Sequence, residues 1–138
     1  MEIQPYLMYD GRAEEAAEFY QQAIGAKQIM KLRFKDNPEP MPEGRLPRGA
    51  ENKIMHMRLE IGSTVLLMSD GHCTGKANFS GFSLSLTVAD DAAAVRAFNA
   101  LSQGGQVMMP LGKTFFSSNF GMLTDKFGVG WMVYVAPK

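Results

Sequence analysis

Hydrophobic and polar residues along this chain follow a pattern that occurs twice. A strand-like segment at 4–9 precedes a stretch at 12–24 whose apolar residues recur every three or four positions. The same succession returns with a strand-like segment at 82–88 and a helical stretch at 90–101. Spacing of three to four residues is typical of amphipathic helices, and alternation is typical of strands. Further strand-like segments follow each helix.

The two copies align at an offset of 79 residues, which places Phe19 on Phe98 and Gly25 on Gly104. A duplicated unit of strand, helix and three strands (βαβββ) predicts an α+β fold, with a ligand site between the two sheets. A chain of this length can bury a core of its own. We therefore expect a single domain, 1–138, built of two βαβββ repeats at about 1–70 and 79–138.

Both predicted helices are amphipathic and begin near an aspartate. Asp10 and Asp90 stand where an N-cap is expected, because a short carboxylate can accept hydrogen bonds from the first free N–H groups. The predicted buried residues are Ala13, Ala16, Ala17, Tyr20 and Ile24 in the first helix, and Ala94, Val95, Phe98 and Leu101 in the second.

The clearest hairpin joins strands at 54–61 and 64–70 through Gly62-Ser63. This two-residue turn sets a register in which Arg58 lies opposite Leu67. One face is then apolar except for Thr64 at its end and is expected under a helix, with Met57, Leu59, Ile61, Leu66 and Met68. The other face is mixed and is expected to line a cleft or to meet solvent, with His56, Arg58, Glu60, Val65, Leu67 and Ser69.

Two connecting segments also carry predictions. The stretch 35–53 is rich in proline and charge, which predicts a loop acting either as a flap over a pocket or as a dimer-contact arm. Asp125 opens a glycine-containing turn of the last hairpin, where aspartate usually accepts hydrogen bonds from its own backbone, so we expect it to be structural.

Composition narrows the function classes. Lys+Arg and Asp+Glu both number 14, so no basic surface favours nucleic acid. A lone Cys73 excludes an internal disulfide and suits a reducing compartment. Without a signal-like first segment or a long apolar run, we expect a cytoplasmic protein that does not use a membrane. The eleven methionines indicate either gap-filling in an irregular core or an adaptable apolar pocket.

At this point several motifs together resemble a known family. They are Glu18-Phe19-Tyr20, the turn 124–128, Trp131, the opening Gln4-Pro5-Tyr6-Leu7, Ile54-Met55-His56 and Leu67-Met68-Ser69-Asp70. In this order and spacing they resemble the vicinal oxygen chelate superfamily, which includes glyoxalase I and the bleomycin resistance proteins, and more narrowly its PhnB-like branch. The resemblance implies a half-open barrel of paired βαβββ units, a homodimer, and a ligand in the concave cup.

Metal-using members of that superfamily take His, Gln or Glu ligands at positions that correspond here to Pro5, Leu67, Ser83 and Tyr134. None of these four is a good ligand for a divalent metal, so we expect no metal site and no cofactor. Other candidates are weak. Glu60 is about 13 Å from His56 along one strand, and the adjacent His72 and Cys73 provide too few ligands for zinc.

The polar side chains that remain in the predicted cup indicate ligand binding. Arg58 could bind an anionic group while His56 titrates near neutral pH, although a salt bridge between Arg58 and Glu60 on a solvent-facing surface is the alternative. The predicted ligand-binding residues are His56, Arg58, Ser83, Ser85, Tyr134, Tyr9 and Met132.

Three function classes remain open on these residues. The first is a homodimeric protein that binds a small organic molecule, with or without a minor catalytic step. The second is a metal-dependent lyase or isomerase of the glyoxalase type, or a dioxygenase, in which a divalent metal is the cofactor. The third is an interaction module. Some PhnB-like proteins are named methyltransferases, but this chain has no glycine-rich strand-to-helix turn for a nucleoside cofactor.

Overall fold

The computed structural model describes residues 1–39, 46–73 and 75–137, and the chain divides into two units, Met1–Ala77 and Asn78–Lys138. The first unit consists of β1 (Tyr6–Met8), α1 (Ala13–Ile24), β2 (Lys27–Arg33), β3 (Ile54–Ile61) and β4 (Thr64–Ser69), with short 3₁₀ turns at Phe34–Asp36 and Ala50–Asn52. The second consists of β5 (Leu84–Val88), α2 (Asp91–Leu101), β6 (Gln106–Gly112), β7 (Phe120–Thr124) and β8 (Gly130–Val135). Part of the predicted loop at 35–53, residues 40–45, lies outside the described residues.

Each unit contains one four-stranded mixed sheet, and the two sheets have the same topology. The strand order is β1-β4-β3-β2 in the first and β5-β8-β7-β6 in the second. The first and last strands of each unit pair in parallel, and the other pairs are antiparallel. These mixed sheets, each accompanied by one helix, confirm the predicted α+β class. Within the described part of the chain, no helix has the length and apolar character needed to cross a membrane.

The core of the first unit forms where α1 covers one face of its sheet. Ile24 is half-buried near the end of the helix, whereas the other predicted residues are buried: Ala13, Ala16, Ala17 and Tyr20. The predicted hairpin register is confirmed, with Arg58 paired to Leu67. The sheet residues beneath the helix are almost completely buried: Leu7, Met57, Leu59, Leu66 and Met68.

The second unit repeats this arrangement with one correction. Val95, predicted to be buried, is 44% exposed, and Ala97 is buried instead. At about 100° per residue, Val95 lies about a quarter turn from the stripe formed by the other buried residues, so its apolar character was misleading. The buried set comprises Ala94, Ala97, Phe98 and Leu101 of α2, with Leu123, Trp131, Val133 and Val135 of the sheet.

The two helices begin in different ways. Asp90 caps α2 as predicted, and its carboxylate accepts a hydrogen bond from Ala93 N at 2.8 Å. The prediction that Asp10 caps α1 was wrong, because the chain turns there with φ +54° and the N-cap position falls on Arg12, whose side chain makes no cap bond. The carboxylate at this helix start comes instead from Asp70, after β4.

Asp70 joins three segments of the first unit. One carboxylate oxygen accepts from Gly11 N and from Ala13 N, both at 2.8 Å, and the other accepts from Ile54 N at 2.8 Å. The residue is 1% exposed. It therefore ties the start of α1 to the start of β3.

Asp125 is a structural residue of the second unit, as predicted. Its carboxylate accepts from Phe127 N at 2.9 Å, from Val129 N at 3.0 Å and from Trp131 Nε1 at 2.9 Å. The turn between β7 and β8 is thus fixed by one buried side chain.

Candidate functional site

The sheet face of the first unit that is turned away from α1 carries the titratable candidates. Paired residues of neighbouring strands point to the same side of a sheet. The register therefore sets Tyr6, Leu67, Arg58 and Met30 side by side across four strands. His56 pairs with Leu32 on the same face. Tyr6, Met8 and Met30 are between 37% and 48% exposed, so this face combines polar groups with accessible apolar surface.

Tyr6 and His56 form a hydrogen-bonded pair on this face. The Tyr6 hydroxyl lies 2.8 Å from His56 Nδ1, and the two ring centroids are 5.5 Å apart. Burial lowers the pKa of His56 below its usual 6.5, and the positive charge of Arg58 lowers it further. Burial also raises the pKa of Tyr6. A neutral imidazole that carries its proton on Nε2 can accept this hydrogen bond at Nδ1 from the tyrosine hydroxyl.

Arg58 is exposed on the same face, two residues along β3 from His56. Within the described ranges, no ion pair joins it to Glu60. The unit's ion pairs lie elsewhere: Glu14 with Arg33 and Lys31, and Arg12 with Glu15. The N–H groups of the Arg58 guanidinium are therefore available to a ligand on this face.

Tyr9 is a correction to the predicted site. It is 2% exposed, and its hydroxyl lies 2.9 Å from the Tyr20 hydroxyl beneath α1. Residues alternate between faces along β1, so that Leu7 is buried while Tyr6 and Met8 are exposed. Tyr9 lies on the same buried side of the sheet as Leu7, so its predicted position in the cleft was wrong. Sequence reasoning chose Tyr9 and missed Tyr6, because the residues of β1 are all apolar or aromatic and give no signal that separates its two faces.

The remaining predicted residues belong to the second unit. Ser85 pairs with Met132, and Thr87 pairs with Tyr134, so these residues share the face turned away from α2. Ser83 is exposed and lies just before β5. Met122 and Phe120, which pair with Met132 and Tyr134, extend the face toward β7. This surface is aromatic and methionine-rich, and it has a serine and a threonine at its β5 edge.

A cleft of about 610 Å³ lies at one end of the second unit, and sequence reasoning missed it. Its wall includes Tyr134, a predicted ligand-binding residue, together with Phe115 and Phe116, to which no role was assigned. The sequence feature that could have indicated this cleft is the pair of adjacent phenylalanines flanked by polar residues. The lining residues are Ala89, Asp90, Asp91, Lys113, Thr114, Phe115, Phe116, Ser117, Ser118, Tyr134, Val135, Ala136 and Pro137.

The residues at the superfamily's metal positions do not fit a metal. In the first unit, Pro5 and Leu67 are joined through their backbones, Leu67 N donating to Pro5 O at 2.9 Å, and neither side chain has a donor atom. In the second unit, the Tyr134 ring stacks on Phe116 with centroids 6.1 Å apart, and Ser83 is a weak ligand. Among the described residues, no group of three or more His, Cys, Asp or Glu side chains is placed to hold a metal ion.

Cys73 also lacks the features of a reactive thiol. Burial and the negative charges of Asp70 and Asp10 raise its pKa, which keeps the thiol protonated and a poor nucleophile or metal ligand at neutral pH. Thr74, the next residue, lies outside the described part of the chain.

Comparison with solved structures first defines the class. A glyoxalase-related enzyme from Fulvimarina pelagi superposes with a TM-score of 0.64 at 18% identity, covering 99% of this chain and 89% of that one. A PhnB protein from Bacillus cereus superposes with a TM-score of 0.79 at 28% identity, covering 99% and 100%. The fold is therefore glyoxalase-like, of the PhnB-like type.

The family follows from the sequence itself. A family model described as 3-demethylubiquinone-9 3-methyltransferase matches residues 1–134, and the chain belongs to this family. Protein YjdN of Escherichia coli K12 is 34% identical over 140 residues, covering 98% of this chain and 95% of that protein. The crystal structure of PA1353 from Pseudomonas aeruginosa is 43% identical, with a TM-score of 0.85 and coverage of 100% and 99%.

The family description names a methyltransferase, which would use a nucleoside cofactor. The described residues do not form a binding loop for such a cofactor. β1 is followed by Asp10-Gly11-Arg12, which has one glycine rather than a glycine-rich loop. Within each unit, the sheet pairs two of its three strand neighbours antiparallel instead of forming an alternating parallel βα series.

Proposed function

We propose that this protein binds a small organic molecule that carries an oxyanion, and that it does so without the superfamily's metal. The observation that carries the proposal is the hydrogen bond between the Tyr6 hydroxyl and His56 Nδ1 at 2.8 Å, on an exposed sheet face beside Arg58. A neutral histidine held in this way presents its Nε2 proton as a donor. It does not act as a cation in its own right.

His56 and Arg58 would act together on the ligand. Alternate residues of a strand lie about 6.6 Å apart on one face. That separation suits a carboxylate-sized group, which could accept from the imidazole N–H on one side and from the guanidinium fork on the other. The neighbouring Met8, Met30 and Leu67 offer apolar surface to the carbon skeleton, and methionine adapts to different shapes.

The face of the second unit carries the other predicted ligand-binding residues, and it is proposed as a binding surface of that unit. Ser83, Ser85, Met132 and Tyr134 are proposed as additional ligand-binding residues, with the serine hydroxyls as hydrogen-bonding groups. The half-open barrel, the single domain made of both repeats and the cytoplasmic location stay predictions.

A homodimer is also proposed. Its support is the apolar surface on the edge strands, because Ile29 of β2 and Met108 of β6 are 48% and 58% exposed. Edge strands with exposed apolar side chains usually need a cover. Light scattering should give a mass close to twice the 15.2 kDa chain.

The test is a ligand-detected NMR screen of small carboxylates and neutral analogues against the wild type and three variants. His56→Ala and Arg58→Lys should each weaken binding of carboxylate hits at least tenfold, because a compact ammonium cannot reproduce a bidentate fork. Arg96→Lys, an exposed substitution of the same type on α2, is the matched control and should leave binding unchanged. Hits that bind all four proteins equally would refute the proposed site.

A further inference from the structure

The cleft of the second unit is assembled from three segments. They are the start of α2 with the residue before its cap, the loop 113–118 between β6 and β7, and the chain from the end of β8 to Pro137. Its volume of about 610 Å³ is within the range of about 300–1,000 Å³ typical of small-molecule sites. None of these segments belongs to the Tyr6–His56 face of the first unit.

Hydrogen bonds hold the walls of the cleft in place without any ligand. The Ser117 hydroxyl donates to the Val135 carbonyl at 2.7 Å, and Thr114 N donates to the Ser117 carbonyl at 2.9 Å, which fixes the loop against β8. The Ser118 hydroxyl donates to the Asp91 carboxylate at 2.7 Å, which fixes the loop against α2. A site ordered in advance loses little entropy on binding.

Aromatic rings form one wall. Phe116 stacks on Tyr134 with centroids 6.1 Å apart and an interplanar angle of 27°, and it contacts Phe120 edge-on at 5.1 Å. Phe115 packs edge-on against Phe116 at 5.1 Å while remaining 99% exposed. A phenylalanine this exposed buries almost none of its apolar area. The ring is therefore available to contact a molecule lying on the Phe116–Tyr134 stack.

Charge does not favour an ion in this cleft. Asp90 and Asp91 face it with carboxylates that already accept hydrogen bonds from Ala93 N and from the Ser118 hydroxyl. Lys113 brings the opposite charge to the same wall. In the part of the chain that the structure describes, the Tyr134 hydroxyl has no hydrogen-bond partner, so it can donate to an acceptor on a ligand.

We propose that this cleft binds a planar aromatic molecule bearing a hydrogen-bond acceptor, which stacks against the Phe116–Tyr134 pair with Phe115 at its edge and accepts from the Tyr134 hydroxyl. Stacking and shape, rather than charge, select the ligand. The site does not depend on His56 or Arg58, and it stands if the first-unit site is refuted.

The test uses two probes with the same carbon skeleton, 2-naphthol and the saturated 2-decalol, whose binding to the full chain is measured by ligand-detected NMR. Aromatic pairs contribute about 0.5–1.5 kcal/mol beyond area burial, which converts to about two- to twelvefold in affinity. We expect 2-naphthol to bind the wild type at least threefold more tightly than 2-decalol. Phe116→Leu should remove this preference, and Tyr134→Phe should weaken 2-naphthol several-fold.

Phe115→Leu provides a variant that should fold whatever the effect of Phe116→Leu, because the Phe115 ring is exposed, and it should also weaken 2-naphthol. Phe82→Leu is the matched control, because Phe82 is 44% exposed in the same unit and does not line the cleft. It should bind like the wild type. Equal affinity for the two probes, or unchanged binding by folded Phe115→Leu and Phe116→Leu, would overturn the proposal. A third outcome would also overturn it: 2-naphthol does not bind, and Phe115→Leu dissociates a dimer. A second copy of the chain would then occupy the cleft.

Discussion

The two units have the same strand order and the same parallel closing pair, yet they stabilise the start of their helices by opposite means. In the second unit the cap is local, since Asp90 accepts from Ala93 N three residues later. In the first unit Asp70 reaches Gly11 and Ala13 from 59 and 57 positions away. In one fold, the carboxylate at a helix start can therefore come from the residue just before the helix or from the end of the neighbouring strand.

Because of this difference, the two aspartates are expected to contribute different amounts to the free energy of unfolding. Asp90 is exposed and satisfies one N–H group, whereas Asp70 is buried and satisfies three. A buried N–H group that loses its partner costs about 1–3 kcal/mol, while an exposed one can turn to water.

The largest expected effect tests this contrast directly. Asp70→Ala should lower the free energy of unfolding by about 3–6 kcal/mol, because the buried N–H groups of Ala13 and Ile54 and the partly buried N–H group of Gly11 lose their acceptor. Asp90→Ala should lower it by about 1 kcal/mol, the usual loss for an N-cap. Urea unfolding followed by circular dichroism measures both changes. Equal losses in the two variants would show that the long-range cap has no special role.

The second prediction concerns the two sides of β3. Met57→Ala should cost about 2–5 kcal/mol, because it empties a fully buried core position beneath α1. His56→Ala, one residue earlier and half-buried on the opposite face, should cost less than about 1 kcal/mol. Urea unfolding again supplies the numbers. A larger loss for His56→Ala would mean that the Tyr6–His56 pair is structural, and it would weaken the proposed binding role.

The comparison also shows what the sequence reveals and what it hides. Two-residue periodicity and the Gly62-Ser63 turn were enough to predict the register of β3 with β4, and Asp90 and Asp125 act within a few residues, where local chemistry decides. Asp10 looks the same as Asp90 in sequence, but the carboxylate of Asp70 reaches the start of α1 only once β4 has paired with β1.

The candidate site was harder to predict for a related reason. β1 has three residues, Tyr6–Met8, all apolar or aromatic, so it has no polar alternation from which its faces could be assigned. Tyr9 was consequently placed on the wrong side. The cleft around Phe116 depends on a loop whose shape is set by hydrogen bonds to Val135 and Asp91, and no periodicity signals such contacts.

A third, smaller effect concerns protonation on the first unit's face. Because burial and Arg58 lower the pKa of His56, its NMR titration midpoint should lie below 6.5. A folded-state pKa below the unfolded value means that this contribution to stability is present above about pH 6.5 and is lost as the pH falls through the folded-state pKa. Arg58→Gln should raise the midpoint by removing a positive neighbour, and Arg96→Gln on α2 should leave it unchanged. A midpoint above 6.5 in the wild type would contradict a neutral His56.

The smallest expected effect is that of added metal, and here the two units differ in what they offer. The resemblance implies metal positions at Pro5 and Leu67 in the first unit, whose side chains have no donor atoms, and at Ser83 and Tyr134 in the second, which have hydroxyls. Nickel, zinc, manganese or iron should therefore leave the melting temperature nearly unchanged, whereas a metal at 100 times its dissociation constant would add about 2.7 kcal/mol. A rise with one-to-one stoichiometry, reversed by chelator, would contradict this expectation and favour the metal-dependent alternative. Tyr134→Phe would then identify the unit responsible, because loss of the rise would assign the metal to the second sheet, and its persistence would direct attention to His56.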